Sequence, residues 1–144
     1  RRLILAGNIP VGHEAFFDEK IRPFLHPGRI EYVGPVDEAQ KLPLYQHATA
    51  LLFPIQWKEP FGIVMAESLA CGTPVIALNN GAAPEVIKQG VNGLICASIP
   101  EVETAIGRIE EISRDACRQI AVARFSLETV SSAYLQILQQ LDHG

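Results

Sequence analysis

The chain has 144 residues, 48% of them hydrophobic and 19% charged, enough to enclose a core in one globular domain. A formal net charge of -4, with Lys and Arg scattered rather than clustered, leaves no basic field for a phosphate backbone and argues against nucleic acid as a partner. Apolar runs such as ATALLF and PVIAL fall far short of the about 20 residues a membrane span needs, so no membrane span is expected.

Cys71, Cys96 and Cys117 are odd in number and far apart, without a CxxC, and suggest neither a disulfide framework nor a zinc site; a reducing cytoplasm is the expected location. His13, His26, His47 and His143 are equally dispersed, and none is spaced to pair with another metal ligand.

In chain order, RLILAG is a compact apolar run closed by Gly7 and Asn8, as a buried strand is. GHEAFFDEKIRPFLHPG places Ala15, Phe16, Ile21, Phe24 and Leu25 at helical spacing and stops at Pro27 and Gly28. RIEYVG is a second strand. VDEAQKLPLYQHA reads as helix, with Asp37 as N-cap and Gln40 at the capping-box position. Because proline disrupts a helix interior, the expectation is a short turn first and the main helix from about Pro43. TALLFP is a third strand, and FGIVMAESLA a helix stopped by Gly72 with Pro74 beyond. TPVIAL, the short helix PEVIKQG and the strand GLICA follow. From there the patterns EVETAIGRIEEIS, RDACRQIAVARF and SLETVSSAYLQILQQL, the last one capped by Ser126, predict closing helices over about 100–142.

Strands separated by helices imply right-handed crossovers. The predicted class is α/β, a doubly wound parallel sheet of about five strands with a C-terminal helical tail, forming one domain over residues 1–144. Ligands of such sheets bind outside the carboxyl ends of the strands, which directs attention to loops 7–12, 34–36, 54–62 and 79–84.

The third of these loops runs into KEPFGIVMAE. Glu59 lies at a strand's carboxyl end and Glu67 on the second turn of the next helix, and at about 100° per residue the interval can bring both to one cleft. Pro60 stiffens the entry, and Gly62 would let a ligand approach the backbone. The first-turn amides, around Phe61 to Val64, lack intrahelical acceptors and carry the positive end of the helix dipole. Amides that favour oxygen-rich groups, flanked by carboxylates that accept from hydroxyls, suit a ligand with both phosphates and polyol groups, such as a sugar nucleotide.

EPFGIVMAE, followed by SLACGTPVIA, NNGAAPEVI and GVNGLIC, resembles the C-terminal nucleotide-sugar-binding domain of retaining glycosyltransferases of family four, the glycosyl transferases group 1 with a two-domain GT-B fold. Glu59 and Glu67 match that family's E-x7-E signature. LILAG and IEYVGPVDEAQKLPLYQHATALLFP are similar to its preceding strands, and RFSLETVSSAYLQIL to its closing helices.

The resemblance implies that Glu59 contacts the donor sugar near the reacting centre, as the catalytic residue. It implies that the amides of Phe61, Gly62 and Ile63 hold sugar hydroxyls and diphosphate oxygens, and that Glu67 binds the ribose hydroxyls. Val33, Gly34 and Val36 would cradle the base, largely through backbone. The substrate is then a nucleoside diphosphate sugar in its UDP, ADP or GDP form, with no cofactor and no metal. The family's basic pair lies upstream of RLILAG, and the acceptor binds mainly to an N-terminal domain. This piece is accordingly expected to be the donor-binding half, truncated at its N-terminal edge and inactive alone, of an enzyme that transfers a hexose to an acceptor hydroxyl.

Alternatives are a nucleotide-sugar-binding module without transfer activity, an enzyme of the glycogen or starch synthase or sugar-phosphate synthase type, and another doubly wound domain whose acidic loop is incidental. Isolated glutamates at this spacing are common, and the EPFG setting carries the functional reading. Trp57 fits core or interdomain packing as well as a ligand-facing role. Asn79, Asn80 and Gly81 are turn formers expected in any loop, and Glu85 suits a first helical turn. Cys71 and Cys96 read as buried small residues, and Tyr32, Tyr45, Phe53 and Phe125 as core.

Overall fold

The computed structural model describes residues 1–142 and divides into two compact units, Arg1–Pro43 and the residues from Leu44 onward. His143 lies outside the described residues.

In the first unit, β1 (Leu3–Ala6) pairs in parallel with β2 (Ile30–Gly34), Leu3 opposite Ile30 and Leu5 opposite Tyr32. The crossover is made by α1 (Glu14–Lys20) and a 3-10 turn at Arg22–Phe24, where Pro23 prevents a longer helix. Phe17, the buried residue of α1, packs its ring 4.7 Å from that of Tyr32, whose hydroxyl donates to the Gly7 carbonyl at 2.8 Å.

α2 (Glu38–His47) opens on the anticipated capping box, Gln40 N–H to Asp37 Oδ1 at 2.8 Å and Asp37 N–H to Gln40 Oε1 at 3.0 Å. It departs from expectation at Pro43, which lies inside a continuous helix rather than at the start of a second one. The reciprocal cap fixes the first turn firmly enough for the helix to run on despite the missing proline N–H.

The second unit is built on β3 (Leu51–Phe53), β4 (Val75–Leu78) and β5 (Gly93–Cys96), all parallel and in that spatial order. β4, the central strand, is an unbroken apolar run with Val75, Ile76 and Ala77 buried, as a strand covered on both faces requires. α3 (Ile63–Ala70) supplies Met65 and Leu69 to the same core, and α4 (Ala83–Val86) supplies Val86. Each of these large side chains contributes about 1.5–3 kcal/mol through burial. α5 (Ile99–Arg108) and α6 (Arg114–Phe125) close the unit; α6 packs against α3, buries Cys117 and Ala121 and is capped by the Ser113 hydroxyl.

α7 (Leu127–Asp142) ends the described chain, its Thr129 N–H bonded to the Ser126 Oγ foreseen as its cap. Leu127, Val130, Tyr134, Ile137, Leu138 and Leu141 form an apolar stripe on it that stays exposed.

The α/β class with parallel strands and a helical C-terminal end is therefore as predicted. The five strands are hydrogen-bonded in two sheets, of two and three strands, rather than in a single five-stranded ladder. Alternating strands and helices dictate parallel crossovers, but the pattern does not specify which strands become neighbours.

Candidate functional site

Phe53 ends β3 at its carboxyl end, and the chain then runs through residues 54–62 into α3. Gly62 is the N-cap of α3, left-handed at φ 69°. A Cβ there would stand 2.8 Å from both Phe53 Cζ and Met65 Cε, so glycine is required by the backbone and by the core beneath it. With no side chain at the cap, nothing at Gly62 competes with a ligand for the first-turn amides of α3. Phe61 and Ile63 flank this turn, 43% and 64% exposed, and the Phe61 ring meets Phe125 edge-on at 5.7 Å.

Glu59 is half-buried and fixed at three points. Its N–H bonds back to the Trp57 carbonyl at 2.9 Å, its carbonyl accepts from the Ala82 N–H at 2.9 Å, and its Oε2 accepts from the Trp57 indole N–H at 3.0 Å. The loop after β4 supplies the second of these contacts and a further one, Asn80 Nδ2 to the Trp57 carbonyl at 3.1 Å. Gly81, at φ 52°, lies against the same peptide: a Cβ on it would be 2.6 Å from both the N and the O of Glu59.

Glu67 occupies the second turn of α3, and its Oε2 accepts from the Tyr45 hydroxyl at 3.0 Å. The end of α2 that bears Tyr45 is held by Arg114, whose guanidinium donates to the carbonyls of Gln46 and Ala48, each at 2.8 Å, and to Thr73 Oγ1 at 2.8 Å.

The structure thus gathers Glu59, Phe61, Gly62, Ile63 and Glu67 around one helix N-terminus in the second unit. Val33, Gly34 and Val36 lie at the end of β2 and in the loop beyond it, in the first unit, with Val33 43% exposed and Gly34 at φ 75°. The first unit also carries a concavity of about 340 Å³, lined by Leu5, Asn8, His13, Phe16, Phe17 and Tyr32.

Four contributors to the site have no definite part in it on sequence alone, Trp57 fitting packing and a ligand-facing role equally well. Tyr45 was assigned to the core, but it is half-buried with its hydroxyl on Glu67. Trp57 is 63% exposed, which excludes a core role. Asn80 and Gly81 looked like turn formers, and the turn they form is what seats Glu59. Phe53 is buried as expected, while Cys71 is only half-buried. Burial raises the thiol pKa of all three cysteines, that of Cys117 to about 11. Among the described residues no group of three His, Cys, Asp or Glu could hold a metal ion, and no helix is long and apolar enough to cross a membrane.

The family model described as glycosyl transferases group 1 matches residues 1–125. The chain belongs to this family. This glycosyl transferases group 1 domain is 31% identical over 121 residues to a glycogen synthase of Mycobacterium tuberculosis, covering 78% of the chain and 29% of that relative. It superimposes with a TM-score of 0.80 on sucrose-phosphate synthase from Thermosynechococcus elongatus, at 26% identity over 99% of the chain and 39% of that structure. Anabaena HepE, solved in complex with UDP-glucose, shares the fold at a TM-score of 0.77 and 24% identity, over 96% of the chain and 41% of HepE. The chain therefore spans under a third of the glycogen synthase and about two fifths of these solved chains.

Proposed function

We propose that this glycosyltransferase domain binds the nucleoside diphosphate sugar donor of a retaining, family-four enzyme that transfers a hexose to an acceptor hydroxyl. The observation that carries the reading is the pair of buttressed carboxylates, Glu59 on Trp57 and Glu67 on Tyr45, flanking the uncapped N-terminal turn of α3.

Each part then has a chemical task. Glu59 accepts from donor-sugar hydroxyls beside the reacting carbon. The amides of Phe61, Gly62 and Ile63 take sugar and diphosphate oxygens, and Glu67 accepts from the ribose hydroxyls. As the bond to the diphosphate lengthens, negative charge grows on the leaving group. Preorganised amides at a helix N-terminus stabilise that charge without reorganisation. The upstream basic pair of the family would add to this, and acceptor positioning would fall to an N-terminal domain, so transfer is assigned to the full-length enzyme and donor binding to this domain. Val33, Gly34 and Val36 retain the base-cradling role implied by the family resemblance.

The likeness to a glycogen synthase and to a sucrose-phosphate synthase favours a second reading, an enzyme of one of those two types. The donor chemistry is common to both readings; the acceptor, a glucan end or a sugar phosphate, separates them.

Calorimetric titration of the chain with the UDP, ADP and GDP forms of glucose and mannose tests the proposal. Saturable binding of one base, weakened more than tenfold by Glu67→Ala, is the expected result (about 1.4 kcal/mol per tenfold). Binding unaffected by Glu67→Ala would remove Glu67 from the site.

A further inference from the structure

A glutamate in a loop has freely rotating side-chain torsions, and a carboxylate that must meet a sugar hydroxyl gains from being set in advance. Glu59 is set in this way by a residue outside the E-x7-E signature. The indole of Trp57 turns on only two torsions and its nitrogen can only donate, so its 3.0 Å bond to Glu59 Oε2 fixes which carboxylate oxygen is engaged. Glu59 Oε1 has no bond among the described residues and remains an acceptor for hydroxyls.

The main chain of Trp57 is itself held from behind. The Trp57 carbonyl receives both the Glu59 N–H and Asn80 Nδ2, while Asn80 Oδ1 accepts from the Gly81 N–H at 2.9 Å and so rigidifies the clamp. Gly81 allows that loop to lie directly on the Glu59 peptide. With 63% of its surface in solvent, Trp57 contributes little to the core, and its indole N–H bonds to Glu59.

We propose that Trp57 is a positioning residue that presents the Glu59 carboxylate to the donor sugar, and that Asn80 and Gly81 hold it there. The inference rests on the donor-binding reading, and the two are separable by experiment.

Trp57 is the only tryptophan, so the chain shows one indole N–H resonance. In the ligand-free chain, Glu59→Gln and Asn80→Ala are each expected to shift that resonance. Affinities of wild type and Trp57→Phe are then measured for the UDP, ADP or GDP form of glucose that binds and for the matching free nucleoside diphosphate, with circular dichroism as the check on folding. Trp57→Phe is expected to weaken the sugar-bearing ligand about fivefold and the free diphosphate less than about twofold. Equal loss on both ligands, no loss on either, or an indole resonance indifferent to Glu59→Gln overturns the positioning role and leaves donor binding standing. A wild-type chain that binds neither ligand overturns the donor reading, and this inference with it.

Discussion

The Tyr45 hydroxyl donates to Glu67 Oε2 at 3.0 Å, joining α2 to α3 between residues 22 positions apart in sequence. A neutral donor to a carboxylate is a charge-assisted bond that orients the acceptor, and Arg114 anchors the helix end from which it is made. Tyr45→Phe keeps the ring and removes the bond. Nucleotide affinity is expected to fall about fivefold, against more than about tenfold for Glu67→Ala, when both are measured by calorimetry with the same ligand.

Three glycines make opposite predictions under the same substitution. Gly62→Ala and Gly81→Ala each force a left-handed backbone on alanine and press a Cβ into occupied space, against Phe53 and Met65 in one case and the Glu59 peptide in the other. Each is expected to destabilise the chain by roughly 1–3 kcal/mol in denaturant unfolding. Gly107 sits exposed in α5 with nothing within 4 Å of a Cβ, and Gly107→Ala is expected to stabilise by about 0.5–1 kcal/mol.

The cysteines predict a pH dependence of a definite sign. Burial raises the Cys117 thiol from 9.0 to about 11, so between those values the unfolded chain has shed a proton that the folded chain still holds. With fewer protons on the unfolded state, unfolding free energy falls as pH rises across that window; below it the contribution is fully present. Cys117→Ala should flatten that part of the stability curve, measured as the difference from wild type at each pH. At pH 8, a thiol reagent should modify half-buried Cys71 well before Cys117.

The elements were legible because their signals are local. Asp37 and Gln40 announced a capping box three residues apart, Gly72 and Pro74 a helix stop, and alternating apolar runs the parallel crossovers. Pro43 misled because the rule it obeys in isolation was overridden by the strong cap on its N-terminal side. Within the site, Glu59 and Glu67 stood out by their setting in one short motif. Tyr45 and Asn80 did not, since each reaches its partner across more than 20 residues and nothing in its own neighbourhood marks the pairing. Trp57 was legible only as an aromatic near the motif; its direction toward Glu59 depends on the tight turn that brings the Glu59 N–H to its own carbonyl.

The most direct test of the central claim is two-dimensional amide NMR of the chain titrated with the UDP, ADP and GDP forms of glucose and mannose, with Glu67→Ala alongside. Donor binding predicts that one base moves the resonances of residues 61–67 saturably, and that the substitution abolishes the shifts. If none of these ligands moves residues 61–67 at millimolar concentration, the site assigned to Glu59 and Glu67 is contradicted.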